Sequence, residues 1–323
     1  MSIRIWLSTL VCGFWLGCPG RSGENAAESV RASGADRFEG ARAFADLRDL
    51  VAIGERPAGS AGAARTRELI RERLRQAGWA SSTHAFRVDR GNGATVELEN
   101  VVAKRPGRQS KIILLGAHYD TKRIDGIRFL GANDGASGVA VLLELARALG
   151  PGPGEFPVWL AFFDGEEAFG SDITPEDGLF GSQALAERML QDGDLERVRA
   201  VIVVDMVGDR DLDLVTDSYS SPRLRSYLNE AAARMGIQEV LARGPRLAVI
   251  DDHMPFRERG VEEVLLLMDF RFGGRWAPGP YWHTARDDLT SVSAESLNTV
   301  GKLCVLILER IESFIAEEPA PGR

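Results

Sequence analysis

The stretch FPVWLAFFDGEEAFG (156–170) decides the fold. Residues 156–163 are almost unbroken apolar chain, which then halts at Asp164-Gly165 and places two glutamates side by side, Glu166 and Glu167. A short apolar run closed by a turn signal reads as a strand buried on both faces, as in a mostly parallel sheet. Two carboxylates where such a strand ends need water, a partner or something positive to neutralise them.

The neighbouring segments follow the same plan. Residues 111–117 form a second continuous apolar strand ending in His118-Tyr119-Asp120, and residues 200–207 a third, ending around Asp205. Residues 261–268 read as another strand, and 83–88 and 94–103 as alternating or β-branched ones. Between them lie helical patterns at 38–53, 61–77 (capped by Ser60 and stopped by Gly78), 135–149, 182–190, 222–235 and 293–315. Strands alternating with helices predict a single α/β domain over residues 37–318, with a central mostly parallel mixed sheet flanked by helices on both faces. Ligands of such sheets bind beyond the carboxyl ends of the strands.

The polar residues at those ends are His118, Asp120, Asp134, Glu166, Glu167, Asp205, Asp251, Asp252, His253 and His283, which include three of the four histidines. Each has a plain structural explanation alone: Asp134 as a helix cap, Asp205 as a strand-end cap, His253 as a buried structural residue. Together they place nitrogen and carboxylate donors at one end of one sheet. That donor set suits zinc, and with no cysteine among the donors the site reads as catalytic. One glutamate can then bind the ion while its neighbour stays free to move protons.

The bulk properties agree. With 47 acidic against 39 basic residues the net charge is -8, which argues against nucleic acid as a partner. Arg4 precedes an apolar run over residues 5–16 that is too short to span a membrane and reads as a secretory signal over residues 1–18. Leu16-Gly17-Cys18 resembles a bacterial lipobox, so the expected location is the periplasm or cell envelope, with Cys18 as a lipid anchor, the signal simply cleaved, or the leader kept as an uncleaved anchor. Residues 19–36 read as a flexible tether. Cys12 and Cys18 lie in the leader and Cys304 in an apolar helix, so no internal disulfide is expected.

In order along the chain come HYDTK (118–122), GANDGASGVAVLLELARAL (131–149), FFDGEEAFG (162–170), GLFGS (178–182), DMVG (205–208), DDHMPF (251–256) and WHTARDD (282–288). This set resembles the zinc-aminopeptidase superfamily, and more closely its glutaminyl cyclase branch, over roughly residues 40–315. The resemblance implies one zinc on Asp134, Glu167 and His283, with Glu166 as general acid/base. It implies that Asp205 and Asp251 orient the substrate amine as a hydrogen-bonded pair. In two-zinc aminopeptidases the residues matching His118 and Asp205 bind a second metal with Asp134 bridging, and this chain keeps all five ligands.

Three features favour cyclase: the ten residues 168–177 between the glutamate pair and GLFGS, the form DDHMPF, and Trp282 before His283, where an indole could stack on a substrate amide or simply pack. Two depart from it. The insertion has no tryptophan, and Ala117 and Val139 stand where animal cyclases carry a cysteine pair. The expected activity is cyclisation of N-terminal glutamine on peptides or proteins by a monomer; the alternatives are an exported zinc aminopeptidase and a non-enzymatic binding module on the same fold.

Overall fold

The computed structural model describes residues 34–90, 93–174, 176–241 and 246–317. The leader, Cys18 and residues 19–33 of the tether lie outside them.

A six-stranded sheet runs in the order β1-β2-β4-β3-β5-β6. The strands are β1 (Ala80–Asp89), β2 (Thr95–Arg105), β3 (Ile112–His118), β4 (Val158–Phe163), β5 (Val198–Asp205) and β6 (Val264–Met268). β1, β2 and β4 pair antiparallel, whereas β4, β3, β5 and β6 pair parallel. β3, β4 and β6 are buried at every position, as apolar runs without alternation require.

Successive residues of the central strands enter two cores. Ile113, Leu115, Val158, Leu160, Ile202 and Val204 share one with helices α2 (Gly40–Ala52), α3 (Ala61–Gln76), α4 (Ala136–Leu149), α6 (Pro222–Met235) and α8 (Ala294–Glu317). Ile112, Leu114, Trp159, Ala161, Val201 and Val203 share the other with α5 (Phe180–Gln191) and α7 (Met254–Glu258). The sheet is therefore covered on both faces, as expected.

Two α-helices were not expected. α7 is a short helix with Pro255 in its first turn, where a missing N–H costs nothing. α1 (Gly34–Arg37) buries Gly34 and Ala35, so residues 34–36 belong to the folded domain and not to the tether.

The turn into α4 carries Asp134 to the site, and two glycines let it. Gly138 lets the helix lie on β5: a Cβ there would stand 2.1 Å from the Val204 carbonyl oxygen. Gly135 has φ +89°, and a Cβ on it would stand 2.4 Å from the Asp120 carbonyl oxygen.

Candidate metal centre and active site

Backbone anchors set the site before its side chains do. β3 ends at His118, and the Tyr119 amide donates to the Phe163 carbonyl (3.0 Å), so β3 and β4 run out together. The buried Asp120 carboxylate then accepts the amides of Glu166 (3.1 Å) and Glu167 (3.4 Å). One acid after β3 thus fixes the glutamate pair after β4. Asp287 does the same for the turn before α4, accepting the amides of Asn133 (2.6 Å) and Asp134 (3.0 Å). Beneath both turns lies Arg56, with no exposed surface, donating to the carbonyls of Gly54, Tyr119, Leu130 and Gly131. Met206 (φ 49°) and His283 (φ 54°) adopt left-handed backbone although neither is glycine, and they sit beside Asp205 and Trp282. Such conformations persist where surrounding contacts impose them, as at functional sites.

Two triads result, and they share one residue. His283 Nε2 lies 3.2 Å from Glu167 Oε1 and 3.4 Å from Asp134 Oδ2. His118 Nε2 lies 3.3 Å from Asp134 Oδ1 and 3.1 Å from Asp205 Oδ1. Asp134 offers one oxygen to each. In both triads the ligand atoms fall within 4.8 Å of one another. Tetrahedral zinc with bonds of about 2.0–2.2 Å would hold neighbouring ligand atoms roughly 3.3–3.6 Å apart. The histidine–carboxylate spacings, 3.1–3.4 Å, fall at or slightly below that range, so the residues of either triad fit a bound metal after small adjustments.

The electrostatics make the same demand. Burial works to raise Asp134, but hydrogen bonds from His118 and His283 hold it below the ordinary carboxylate range. Burial alone would lower His118, yet Asp205, Asp120 and Asp134 hold it well above its usual value. Burial would likewise lower His283, and Asp134 and Glu167 instead raise it to about 10. Burial raises Glu166 well above the usual range, with Glu167, Asp251 and Asp252 adding to it against His118. Burial and Asp134 raise Glu167, and burial and Asp205 push Asp251 up to about 7. Protons thus neutralise a carboxylate cluster where a divalent cation could serve instead.

The triads open on a small inner cavity of about 180 Å³, with Asp134, Glu166, Glu167, Asp205, Asp251 and His283 in its walls. Ser171, Asp172 and Ile173 of the 168–177 insertion close one side. Asp177 ties that loop down by accepting the amides of Phe169 (2.7 Å) and Gly170 (2.7 Å). Trp282 also lines the cavity, and its indole stacks on the His283 imidazole (3.9 Å between centroids, 22° between planes) with Phe270 edge-on to it. A larger cleft of about 500 Å³ adjoins at Glu167 and His283.

His253 is fully buried with Nε2 3.3 Å from Asp217 Oδ2, outside both triads, in keeping with the structural reading of it. Several supporting residues escaped sequence reasoning. Asp120 was counted among the donors at the strand ends and Asp287 stood in WHTARDD, but neither was assigned the anchoring task the fold gives it. Lys122, whose Nζ lies 3.7 Å from Glu167 Oε2 and donates to the Ala168 carbonyl (2.7 Å), stood in HYDTK unused. Arg56 gave no local signal at all.

The profile of peptidase family M28 matches residues 100–308, about two thirds of the chain and every residue of both triads. The chain belongs to peptidase family M28. Within M28 it falls in the glutaminyl cyclase branch. An Acidobacteriales bacterium glutaminyl cyclase of known structure is 35% identical, with a TM-score of 0.80, covering 86% of this M28 chain and 96% of that one. The Porphyromonas gingivalis glutaminyl cyclase is 27% identical, with a TM-score of 0.78, over 85% and 99% of the two chains. The glutaminyl-peptide cyclotransferase of Boiga irregularis is 28% identical over 301 residues, 79% of this chain and 77% of its own. Among the described residues of this M28 chain, no helix is long and apolar enough to cross a membrane.

Proposed function

We propose that the chain is a zinc-dependent glutaminyl-peptide cyclotransferase, converting N-terminal glutamine of peptides to pyroglutamate with release of ammonia. The observation that carries this reading is the inner cavity. At about 180 Å³ it is smaller than the roughly 300–1,000 Å³ of pockets for drug-sized ligands, and it suits one side chain, not a peptide threaded through on both sides. The likeness to a glutaminyl cyclase at 35% identity supports the same reaction.

Asp134, Glu167 and His283 would hold the zinc. When bound there, zinc supplies a Lewis acid for the side-chain carbonyl of the substrate glutamine. The walls of the cavity hold that side chain folded back, so the peptide's own α-amine meets its side-chain carbon without a second molecule being fixed. Asp205 and Asp251 receive the amine and orient its lone pair. Glu166 takes a proton from the attacking nitrogen and delivers one to the departing ammonia, so that a C–N bond forms, a C–N bond breaks and no net proton is consumed. Trp282 keeps the His283 ring in plane by stacking on it and presents apolar surface to the substrate.

The second triad supports a rival. His118, Asp134 and Asp205 could hold a second ion, as in an aminopeptidase with an activated water. Incubation with a Gln-initiated peptide separates the two: the expected product is the same peptide lighter by one ammonia, with a Leu-initiated peptide returned intact. Release of free leucine would install the aminopeptidase in its place.

Export is the location the leader supports, with Cys18 as its anchor in the cell envelope. One acyl chain binds membranes only marginally, so stable attachment requires the several chains of a lipoprotein. Cys18→Ser should shift the protein from the membrane to the soluble fraction; unchanged fractionation would leave ordinary secretion.

A further inference from the structure

The outer cleft is wide enough, at about 500 Å³, for the residues that follow the first one of a peptide, and it meets the inner cavity at Glu167 and His283. Its charges are not evenly committed. Asp120 is spent on the amides of Glu166 and Glu167, and the Lys122 ammonium faces Glu167. Two guanidinium groups remain on its wall, Arg90 at the end of β1 and Arg123 in the loop after β3, with Asp125 as the opposing carboxylate. Both arginines are exposed. Arg90 lies face-on to the Phe169 ring of the insertion, 4.5 Å from its centroid, which leaves its N–H edge available. Among the described residues Arg123 makes no ion pair within 4.0 Å, although the protein as a whole carries an excess of acid and a net charge of -8. Arg123, which is unpaired among the described residues, and Arg90, which an aromatic ring positions, are both planar guanidinium groups suited to a carboxylate.

We infer that Arg90 and Arg123 form a subsite for a carboxylate on the residues just after the substrate's N-terminal glutamine, so that peptides with Asp or Glu at the second or third position are preferred. This rests on the cyclase reading of the inner cavity. An extended chain advances about 3.3–3.6 Å per residue, which carries the second and third side chains out of the inner cavity and along this cleft. The contact is made equally in ground and transition states, so it lowers KM and leaves kcat alone. A short peptide could offer its terminal carboxylate to the same pair.

The test is a series of Gln-initiated tripeptide amides with Glu, Gln or Lys at the second and at the third position, alongside Gln-Gly as free acid and as amide. The native enzyme should favour Glu over Lys by about 5-fold in kcat/KM at low ionic strength, through KM, with the preference shrinking in 0.5 M salt as roughly 10 Å screening at 0.1 M shortens further. The free-acid dipeptide exceeding its amide would mark the terminal carboxylate as a second source. Arg123→Glu should reverse the order, and Arg90→Ala combined with Arg123→Ala should flatten it. Equal kcat/KM across the series, or a preference that survives the double substitution, overturns the subsite. Failure of every Gln peptide to cyclise removes the cyclase reading instead.

Discussion

Glu166→Gln is expected to lower turnover on a Gln-initiated peptide by about 10²–10⁴-fold, the usual worth of a general acid/base, while the protein keeps its metal. The substitution is nearly isosteric and leaves the backbone anchor intact, because Asp120 holds Glu166 by its amide and not by its carboxyl. The chemistry is what changes. Burial, with Glu167, Asp251 and Asp252 adding to it, raises the Glu166 carboxyl well above its usual range, which makes it a stronger base than an exposed glutamate. An amide can neither take the amine's proton nor return one to ammonia. Glu167 is the contrast. Its Oε1 is the group within 3.2 Å of His283 Nε2, so Glu167→Gln should lose metal as well as activity. Metal analysis of both purified variants decides the matter: an empty site in Glu166→Gln with a filled one in Glu167→Gln would mean that the two glutamates have exchanged roles.

Asp134→Ala is expected to be the most damaging single change at the site, because both triads use its carboxylate, Oδ1 toward His118 and Oδ2 toward His283. Loss of metal and a fall in activity of about 10³-fold or more should follow, since Lewis-acid stabilisation is worth several kcal/mol. The partners then separate the two stoichiometries. In a one-zinc cyclase, His283→Ala empties the site as Asp134→Ala does, whereas His118→Asn retains the zinc. Native protein with two zinc ions per chain, one of them lost with His118→Asn along with peptide-bond hydrolysis, would convert the reading to the aminopeptidase. Thermal unfolding of each variant guards against a trivial cause, for Asp134 is buried and its turn depends on Asp287.

The mostly parallel sheet and the grouping of acids at one of its edges were legible in the sequence because both are written locally. Residues 156–163 and 111–117 are apolar on consecutive positions, and only a strand covered on both faces uses that pattern; the structure buries every residue of β3 and β4. In a parallel sheet the polar residues just past the strands must gather at one edge, so His118, Glu166, Glu167 and Asp205 could be grouped before any coordinates. The insertion at 168–177 was legible as a spacing, and it does wall the cavity through Ser171, Asp172 and Ile173.

Tertiary structure alone decided the rest, because hydrogen bonds between residues far apart in the chain leave no periodic trace. Nothing near Arg56 announces that its guanidinium will bridge four carbonyls, three of them more than 60 residues away. Asp120 and Asp287 looked like further acids in an acid-rich motif set, and only the fold brings their oxygens to the amides that set the glutamate pair and Asp134. For Trp282 the sequence left open a surface for substrate or simple packing; the fold stacks it on its neighbour His283 while keeping it in the cavity wall. Sequence determined which donors exist and at which end of the sheet they lie. Their separations of 3.1–3.4 Å were set by buried polar anchors that are satisfied only when the whole chain has closed around them.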